Sequence, residues 1–322
     1  MKAAVQHEAG GPEVLHYEDI PDPAIQPDQV LLRVEAISIE GGDPLHRAHD
    51  NISGPHVVGY QCAGTVIETG AAVAGLKVGE RVVTVGLDGS HAELRAVPEA
   101  FCWRLPDELS TEDAACIPVP FGTADDCLFE FGRLTAGEAV LVHAGAGGVG
   151  IPAIQLAKQA GALVLATASR DDKLARLAEL GLDHGINYRE SDFAAEVRRL
   201  TDGRGADVIL ESVGGENLQR SLQCLAYRGR CVSFGDAGRG PEARTDISSM
   251  RAQNQTLVGY FLGAELLFRS ERARPMIERL IGEVAAGRLR VVIDSRYPLA
   301  EAAAGHARAE SREAFGRVLL IP

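Results

Sequence analysis

The sequence predicts an α/β protein in which a strand-rich stretch is followed by a doubly wound parallel sheet. Three observations carry this. The first 120 residues alternate apolar and polar positions between turn residues, strand and helix patterns alternate from Gly122 onward, and a glycine-rich turn joins a strand to a helix in that second region. With 322 residues, 46% hydrophobic and 24% charged, the chain is long enough to bury the cores of two domains.

Segments 2–6, 14–20, 29–39, 62–68 and 81–85 alternate or run apolar and are punctuated by Gly, Pro or Asp, as strands are. Pro21-Asp22-Pro23 and residues 71–80 are turns. Ser110-Thr111-Glu112-Asp113 reads as a helix start, with hydroxyls to cap and carboxylates at the positive end of the dipole. Strands over 139–143, 162–167, 185–188, 206–211 and 230–234 then alternate with helices over 148–160, 171–180, 193–200 and 217–225. Such alternation gives right-handed βαβ units and a parallel sheet, with 255–262 as its last strand. Beyond it, 265–287 is a long helix broken or kinked near Pro275, 291–297 a strand, 299–315 helical and 317–321 a final strand. There is no internal repeat, and this tail is expected to complete the first domain.

Lys and Arg number 32 against 45 Asp and Glu, a net charge of −13, which argues against nucleic acid as a partner. The longest apolar runs, such as 139–142 and 162–166, hold four or five residues, whereas a bilayer needs about 20. The opening Met1-Lys2-Ala3-Ala4-Val5-Gln6-His7-Glu8 turns polar at once and does not read as a signal peptide, so no membrane partner and a cytoplasmic location are expected. Six cysteines, at 62, 102, 116, 127, 224 and 231, form no Cys-x-x-Cys pair and are expected to be buried, reduced thiols.

Residues 139–150 read Ala-Val-Leu-Val-His-Ala-Gly-Ala-Gly-Gly-Val-Gly, so Gly145, Gly147 and Gly150 satisfy G-x-G-x-x-G, with Gly148 and Val149 between. Alone the pattern is weak, but here it follows a strand and opens a helix. A side chain would clash in the tight turn or where backbone N–H groups approach a pyrophosphate, whose charge the helix N-terminus favours. No Lys-Ser or Lys-Thr follows, which excludes a Walker phosphate loop. An NAD site usually ends the next strand in Asp or Glu. This one ends Thr167-Ala168-Ser169-Arg170, and Ser169, Arg170 and Lys173 offer donors and positive charge for a 2′-phosphate, so NADPH is the expected cofactor. Asp171 and Asp172 read as first-turn helix carboxylates.

Taken together these motifs resemble the quinone oxidoreductase, zeta-crystallin-like, family of the medium-chain dehydrogenases/reductases. The opening Met1-Lys2-Ala3-Ala4 with Gly11-Pro12-Glu13-Val14-Leu15, the Gly185-Ile186-Asn187-Tyr188 run, Ser212-Val213-Gly214-Gly215-Glu216, Gly259-Tyr260-Phe261-Leu262-Gly263 and Gly316-Arg317-Val318-Leu319-Leu320 are similar to the family's. The resemblance implies a GroES-like β-rich catalytic domain over 1–120 and 265–322 and a Rossmann cofactor domain over 121–264. It implies that Ser169, Lys173 and Tyr188 surround the 2′-phosphate. Val213 and Gly214, Phe234 and Gly235, and Phe261, Leu262 and Gly263 would lie along the ribose and nicotinamide. A homodimer through the edge of the Rossmann sheet is also implied.

The zinc-dependent branch of that superfamily carries a Cys before its Gly-Asp pair and a Gly-His-Glu in the following strand. Here Ile39-Glu40-Gly41-Gly42-Asp43 and Gly59-Tyr60-Gln61 hold neither thiol nor imidazole, and 86–92 lacks the cysteines of a structural zinc lobe, so no metal is expected. Quinone oxidoreductases usually show an Asn and, five residues on, a Tyr in the loop after the long third strand. Here Glu40 and Leu45 stand there, and Glu40, Asp43 and Tyr60 become candidates for orienting an electrophilic small-molecule substrate or supplying a proton. The implied chemistry is hydride transfer from NADPH to a quinone or an α,β-unsaturated carbonyl. An enoyl-thioester or 2-alkenal reductase, and a non-catalytic crystallin-like or redox-sensing NADPH binder, are the alternatives.

Overall fold

In the computed structural model, which describes residues 1–49, 51–52, 54–241 and 244–322, strands dominate the N-terminal stretch. β1 (Lys2–Val5) and β2 (His16–Asp19) pair antiparallel. β3 (Gln29–Ser38), β4 (Gln61–Thr69), β5 (Arg81–Val85), β6 (Leu94–Pro98) and β7 (Cys102–Arg104) build most of a larger sheet. The alternate apolar residues of β3 face two buried clusters. Val30 and Leu32 pack with Val66, Val82 and Val97, while Val34 and Ile37 pack with Cys62, Val318 and Leu320.

After β3 the chain forms a helix, α1 (Gly42–His49), where the sequence reads as a loop. Pro44 sits in the first turn, where a missing N–H costs nothing. Asp43 ties the start down: its carboxylate accepts the Glu40 N–H at 2.7 Å and the Tyr60 N–H at 3.1 Å. Short helices α2 (Thr111–Ala114) and α3 (Pro118–Asp125) follow. Ser110 caps α2 as its sequence predicts, accepting the Asp113 N–H at 3.0 Å.

The chain divides into two units, Met1–Gly122 with Gly263–Pro322, and Thr123–Leu262. In the second, β8 (Ala139–Val142), α4 (Gly150–Gln159), β9 (Leu163–Ala168), α5 (Asp171–Ala178), β10 (His184–Asn187), α6 (Phe193–Leu200), β11 (Ala206–Glu211), α7 (Gly215–Gln223), β12 (Leu225–Ser233), α8 (Ile247–Ala252) and β13 (Thr256–Gly259) alternate along the chain. The six strands are all parallel in the order β10-β9-β8-β11-β12-β13. This is the doubly wound Rossmann order, and the winding reverses between β8 and β11, where such sheets bind ligands at their strand C-termini. Leu141, Leu165, Ile186, Ile209 and Cys231 fill one buried cluster.

The C-terminal stretch adds α9 (Leu262–Phe268), α10 (Ser270–Ala285), β14 (Ile293–Pro298), α11 (Ala302–Glu310) and β15 (Arg317–Ile321). β15 pairs antiparallel with β3 and parallel with β14, so the tail is part of the first unit's sheet. The helix break expected near Pro275 lies instead at Arg269, whose backbone leaves the helical region (φ −136°, ψ 40°). Pro275 stays inside α10. It removes one bond to the Glu271 carbonyl, and both residues lie on the exposed face, so that oxygen is not shut away from solvent. Among the described residues no helix is long and apolar enough to cross a membrane.

Candidate functional site

The glycine-rich turn leaves the C-terminal end of β8, which is fully buried. Ala144 enters it in a left-handed conformation (φ 50°), and the Gly145 N–H is tied to the Thr167 carbonyl at the end of β9, 2.9 Å away. A Cβ on Gly150 would lie 2.5 Å from the Ala144 carbonyl oxygen and 2.6 Å from that of Gly145. A Cβ on Gly145 would lie 2.9 Å from the Ala166 Cβ, and one on Gly147 3.1 Å from the Ala144 oxygen. Backbone cannot step aside as a flexible side chain can, so position 150 requires glycine, while a methyl group at 145 or 147 would crowd its neighbours. At the start of α4 the N-cap Val149 supplies no side-chain acceptor, Pro152 has no N–H, and the Ile151 and Ala153 N–H groups donate to the Gly147 and Val149 carbonyls, so the N–H groups that would meet an anion are those of Gly148, Val149 and Gly150. The residues present therefore fit a dinucleotide pyrophosphate.

At the end of β9, parallel pairing sets Asn187 beside Ala168, which brings Tyr188 next to Ser169. Ser169 and Lys173 are buried, Tyr188 is 43% exposed, and β9 itself carries no acid. Arg170 is exposed and pairs bidentately with Asp172 at 2.9 and 3.0 Å. That is a surface pair of small net worth, which a phosphate could displace.

Beyond β11, Val213 and Gly214 make a tight turn, with Gly214 at φ 77°, ψ −168°, a conformation essentially confined to glycine. A second turn, through Phe234 and Gly235, is fastened to it: the Ala237 N–H donates to the Ser212 carbonyl at 2.9 Å, and that of Gly238 to Val213 at 2.8 Å. Under the first turn sits Glu211, completely buried, a residue the sequence reading passed over. Burial pushes its carboxyl above the usual range against the pull of its donors. Phe261 is exposed just past β13, Leu262 is buried, and Gly263 follows in α9.

In the first unit, Glu40 and Asp43 are both buried. Glu40 Oε1 accepts from Ser38 Oγ at 3.1 Å, from Gln61 Nε2 at 2.5 Å and from the Arg317 guanidinium. Arg317 also donates to Ser38 Oγ and, at 2.5 Å, to the Ile39 carbonyl, and Gln61 accepts the Val119 N–H at 2.9 Å. Burial raises Glu40 to about 7 despite Arg317, and Asp43 to about 8. Tyr60 lies edge-on to His46, ring centroids 5.4 Å apart, and its ring carbons would be 2.5 Å from any Cβ on Gly42. Its carbonyl is held by the buried Arg95, at 3.1 Å, which also binds the Asp88 carbonyl at 2.6 Å. The fold thus gathers Glu40, Asp43 and Tyr60 at one place, but the first two shape the start of α1 by their hydrogen bonds. Gln61, Arg95 and Arg317 were not foreseen; Arg317 lies 277 positions from Glu40, and nothing local to either residue signals the pair. Among the described residues no group of three or more His, Cys, Asp or Glu is arranged to hold a metal ion.

Residues 26–107 match the profile of the alcohol dehydrogenase GroES-like domain, and residues 148–281 that of the zinc-binding dehydrogenase domain. The chain is 33% identical to a 2-haloacrylate reductase of a Burkholderia species, covering 100% of this chain and 99% of that one. It is 33% identical to the quinone oxidoreductase of Pseudomonas aeruginosa over 97% of both. The crystal structure of Escherichia coli quinone oxidoreductase complexed with NADPH superposes with a TM-score of 0.94 over 100% of both chains, at 29% identity.

Proposed function

The chain belongs to the quinone oxidoreductase family of the medium-chain dehydrogenases/reductases, and from that premise we propose that it is an NADPH-dependent reductase of quinones or α,β-unsaturated carbonyls, working without zinc. The observation that carries the cofactor assignment is the end of β9, where Ser169 and Lys173 stand with Tyr188 and no acid claims the ribose hydroxyls. Gly145, Gly147, Gly148, Val149 and Gly150 would receive the pyrophosphate, and Arg170 would reinforce the 2′-phosphate. Val213, Gly214, Phe234, Gly235, Phe261, Leu262 and Gly263 would wall the ribose and nicotinamide.

Bound NADPH would supply the hydride; holding the acceptor falls to the chain. A quinone and a 2-haloacrylate, the substrates in the relatives' names, share an electron-poor carbon–carbon double bond conjugated to a carbonyl. Such acceptors need orientation more than Lewis-acid activation. That agrees with Glu40 and Tyr60 standing where zinc-dependent relatives keep a thiolate and an imidazole, since a catalytic zinc site needs three N, S or O protein ligands. Tyr60 carries the hydroxyl donor suited to a substrate carbonyl, and Glu40 and Asp43 fix the loop beside it. We also propose a homodimer through β13, the edge strand of the parallel sheet, with the exposed Phe261 at its end.

The test is NADPH and NADH oxidation followed against quinones, 2-alkenals, 2-haloacrylates, enones and enoyl thioesters. Turnover with NADPH well above NADH, on a quinone or an enone, is the expected result. Preference for NADH would refute the β9 assignment, and tight NADPH binding without turnover on any acceptor would refute the enzyme reading.

A further inference from the structure

Beneath the two turns assigned to the cofactor runs a line of buried hydrogen bonds whose direction can be worked out. Ser221 Oγ donates to the Asn217 carbonyl at 2.8 Å, so its one proton is spent there. His143 Nε2, 2.9 Å from the same Oγ, must then carry the hydrogen. In the neutral ring that leaves Nδ1 as acceptor for the Thr167 hydroxyl, 3.1 Å away. The ring is indeed neutral: burial, helped by Arg220, drives His143 down to about 3. Asn217 passes the line on, its Nδ2 donating to Glu211 Oε1 at 2.8 Å. Glu211 Oε1 also takes the Val213 N–H at 3.1 Å, and Oε2 the Gly214 N–H at 2.9 Å.

Thr167 is the other end of the line. Its hydroxyl accepts the Ala144 N–H at 3.3 Å and its carbonyl the Gly145 N–H at 2.9 Å, so it grips the glycine-rich turn directly. Every link donates in one sense, and the line terminates on Glu211 Oε1, which accepts from both Asn217 and Val213. The groups facing that carboxylate are Asn217 from α7, Cys231 from β12 and Asp236, which touches Gly214; none is a cation.

We propose that Glu211 is a positioning residue for the dinucleotide, setting the Val213–Gly214 turn at a fixed distance from the glycine-rich turn through Asn217, Ser221, His143 and Thr167. This rests on the reading that the 213–214 turn meets the nicotinamide half of NADPH while Ser169 and Lys173 meet the adenosine half. A carboxamide at 211 would turn an NH2 toward donors, so one of three bonds becomes a clash of like groups.

The experiment measures dissociation constants of NADPH and of adenosine 2′,5′-bisphosphate, which lacks the nicotinamide half, for the native chain, Glu211→Gln and Ser221→Ala. The expected result is NADPH binding weakened at least about tenfold in Glu211→Gln and less in Ser221→Ala, with the bisphosphate held to within about twofold in all three. Parallel loss of both ligands would reduce Glu211 to general structure and overturn the proposal, as would unchanged NADPH affinity in both variants. A native chain that binds neither ligand would overturn the NADPH reading first, and this proposal with it. Should Glu211→Gln fail to fold, Ser221→Ala alone decides: equal loss of both ligands, or none, overturns it.

Discussion

At the scale of single residues, the Glu40–Arg317 pair decides how the α1 loop stands. Their side chains are 3% and 10% exposed, so neither charge is well hydrated. Removing one partner leaves the other desolvated and unpaired, a loss of about 3–5 kcal/mol, whereas removing both can be nearly neutral. At pH 8, above the value of about 7 to which burial raises Glu40, Glu40→Leu should therefore destabilise the protein by about 3–5 kcal/mol in urea unfolding, and adding Arg317→Met should restore most of it. A single variant within about 1 kcal/mol of native would show that the pair carries no such weight. The six cysteines allow an equally direct check. All are buried, and burial pushes Cys102, Cys116 and Cys224 up to about 12 and raises Cys127 and Cys231 as well. An aromatic disulfide reagent should modify none in the native protein and all six after unfolding; a thiol reacting under native conditions would contradict this burial.

At the scale of elements, α4 and its turn show which local force wins. Alanine is the better helix former by about 1 kcal/mol, so Gly150→Ala would favour the isolated helix. In the fold its Cβ would sit 2.5 Å from the Ala144 oxygen, and the turn must shift. NADPH affinity, followed by cofactor fluorescence, should fall at least about tenfold while the circular dichroism spectrum is retained; unchanged affinity would mean that the turn tolerates the methyl group. Why this turn could be read from sequence follows from the same fact: its steric demand is local, and the strand and helix periods on either side of it differ. The parallel sheet was legible for that reason. α1 was not, because Gly41-Gly42-Asp43-Pro44 has the composition of a loop and becomes helical only once Asp43 gathers N–H groups from Glu40 and Tyr60. β7 was missed because it is only three residues long, and β6, no shorter than β5, because it places a charged residue, Arg95, on its buried face and ends in Pro98. Of the candidate site, the glycines and the end of β9 could be read directly. Arg317 and the Glu211 line could not, since their partners meet only through tertiary packing.

At the scale of the whole molecule, buried titrating groups set opposing limits on stability. His91, His143 and His306 are buried and neutral, with His143 and His306 held down to about 3 and His91 well below its usual range, chiefly by burial. Arg47 donates to His306 Nδ1 at 2.7 Å, so His306 Nε2–H donates to His91 Nε2 at 2.9 Å, and His91 Nδ1–H to Ser90 Oγ at 3.1 Å. A further proton on either ring would face another donor. An unfolded histidine titrates near about 6.5, so below that pH the unfolded chain binds more protons and stability falls, by about 1.4 kcal/mol per pH unit for each ring. Glu40 and Asp43, raised to about 7 and about 8, act in the other direction. Their unfolded values lie near about 4, so from there up to the folded values the native chain binds more protons, and stability falls as pH rises. Between about pH 4.5 and 6.5 the raised carboxyls, Glu211 among them, partly offset the three rings; above about 6.5 the carboxyls of this set act alone, and below about 4.5 the rings are joined by carboxylates held low by a partner, such as Glu138 beside Arg230. Thermal unfolding from pH 4 to 9 should accordingly give a maximum near about pH 6.5, a shallow acid shoulder that steepens below about 4.5, and a decline toward about pH 8. A melting temperature that climbs steadily through pH 8 would mean that Glu40 and Asp43 ionise as ordinary carboxylates, with Arg317 prevailing over burial.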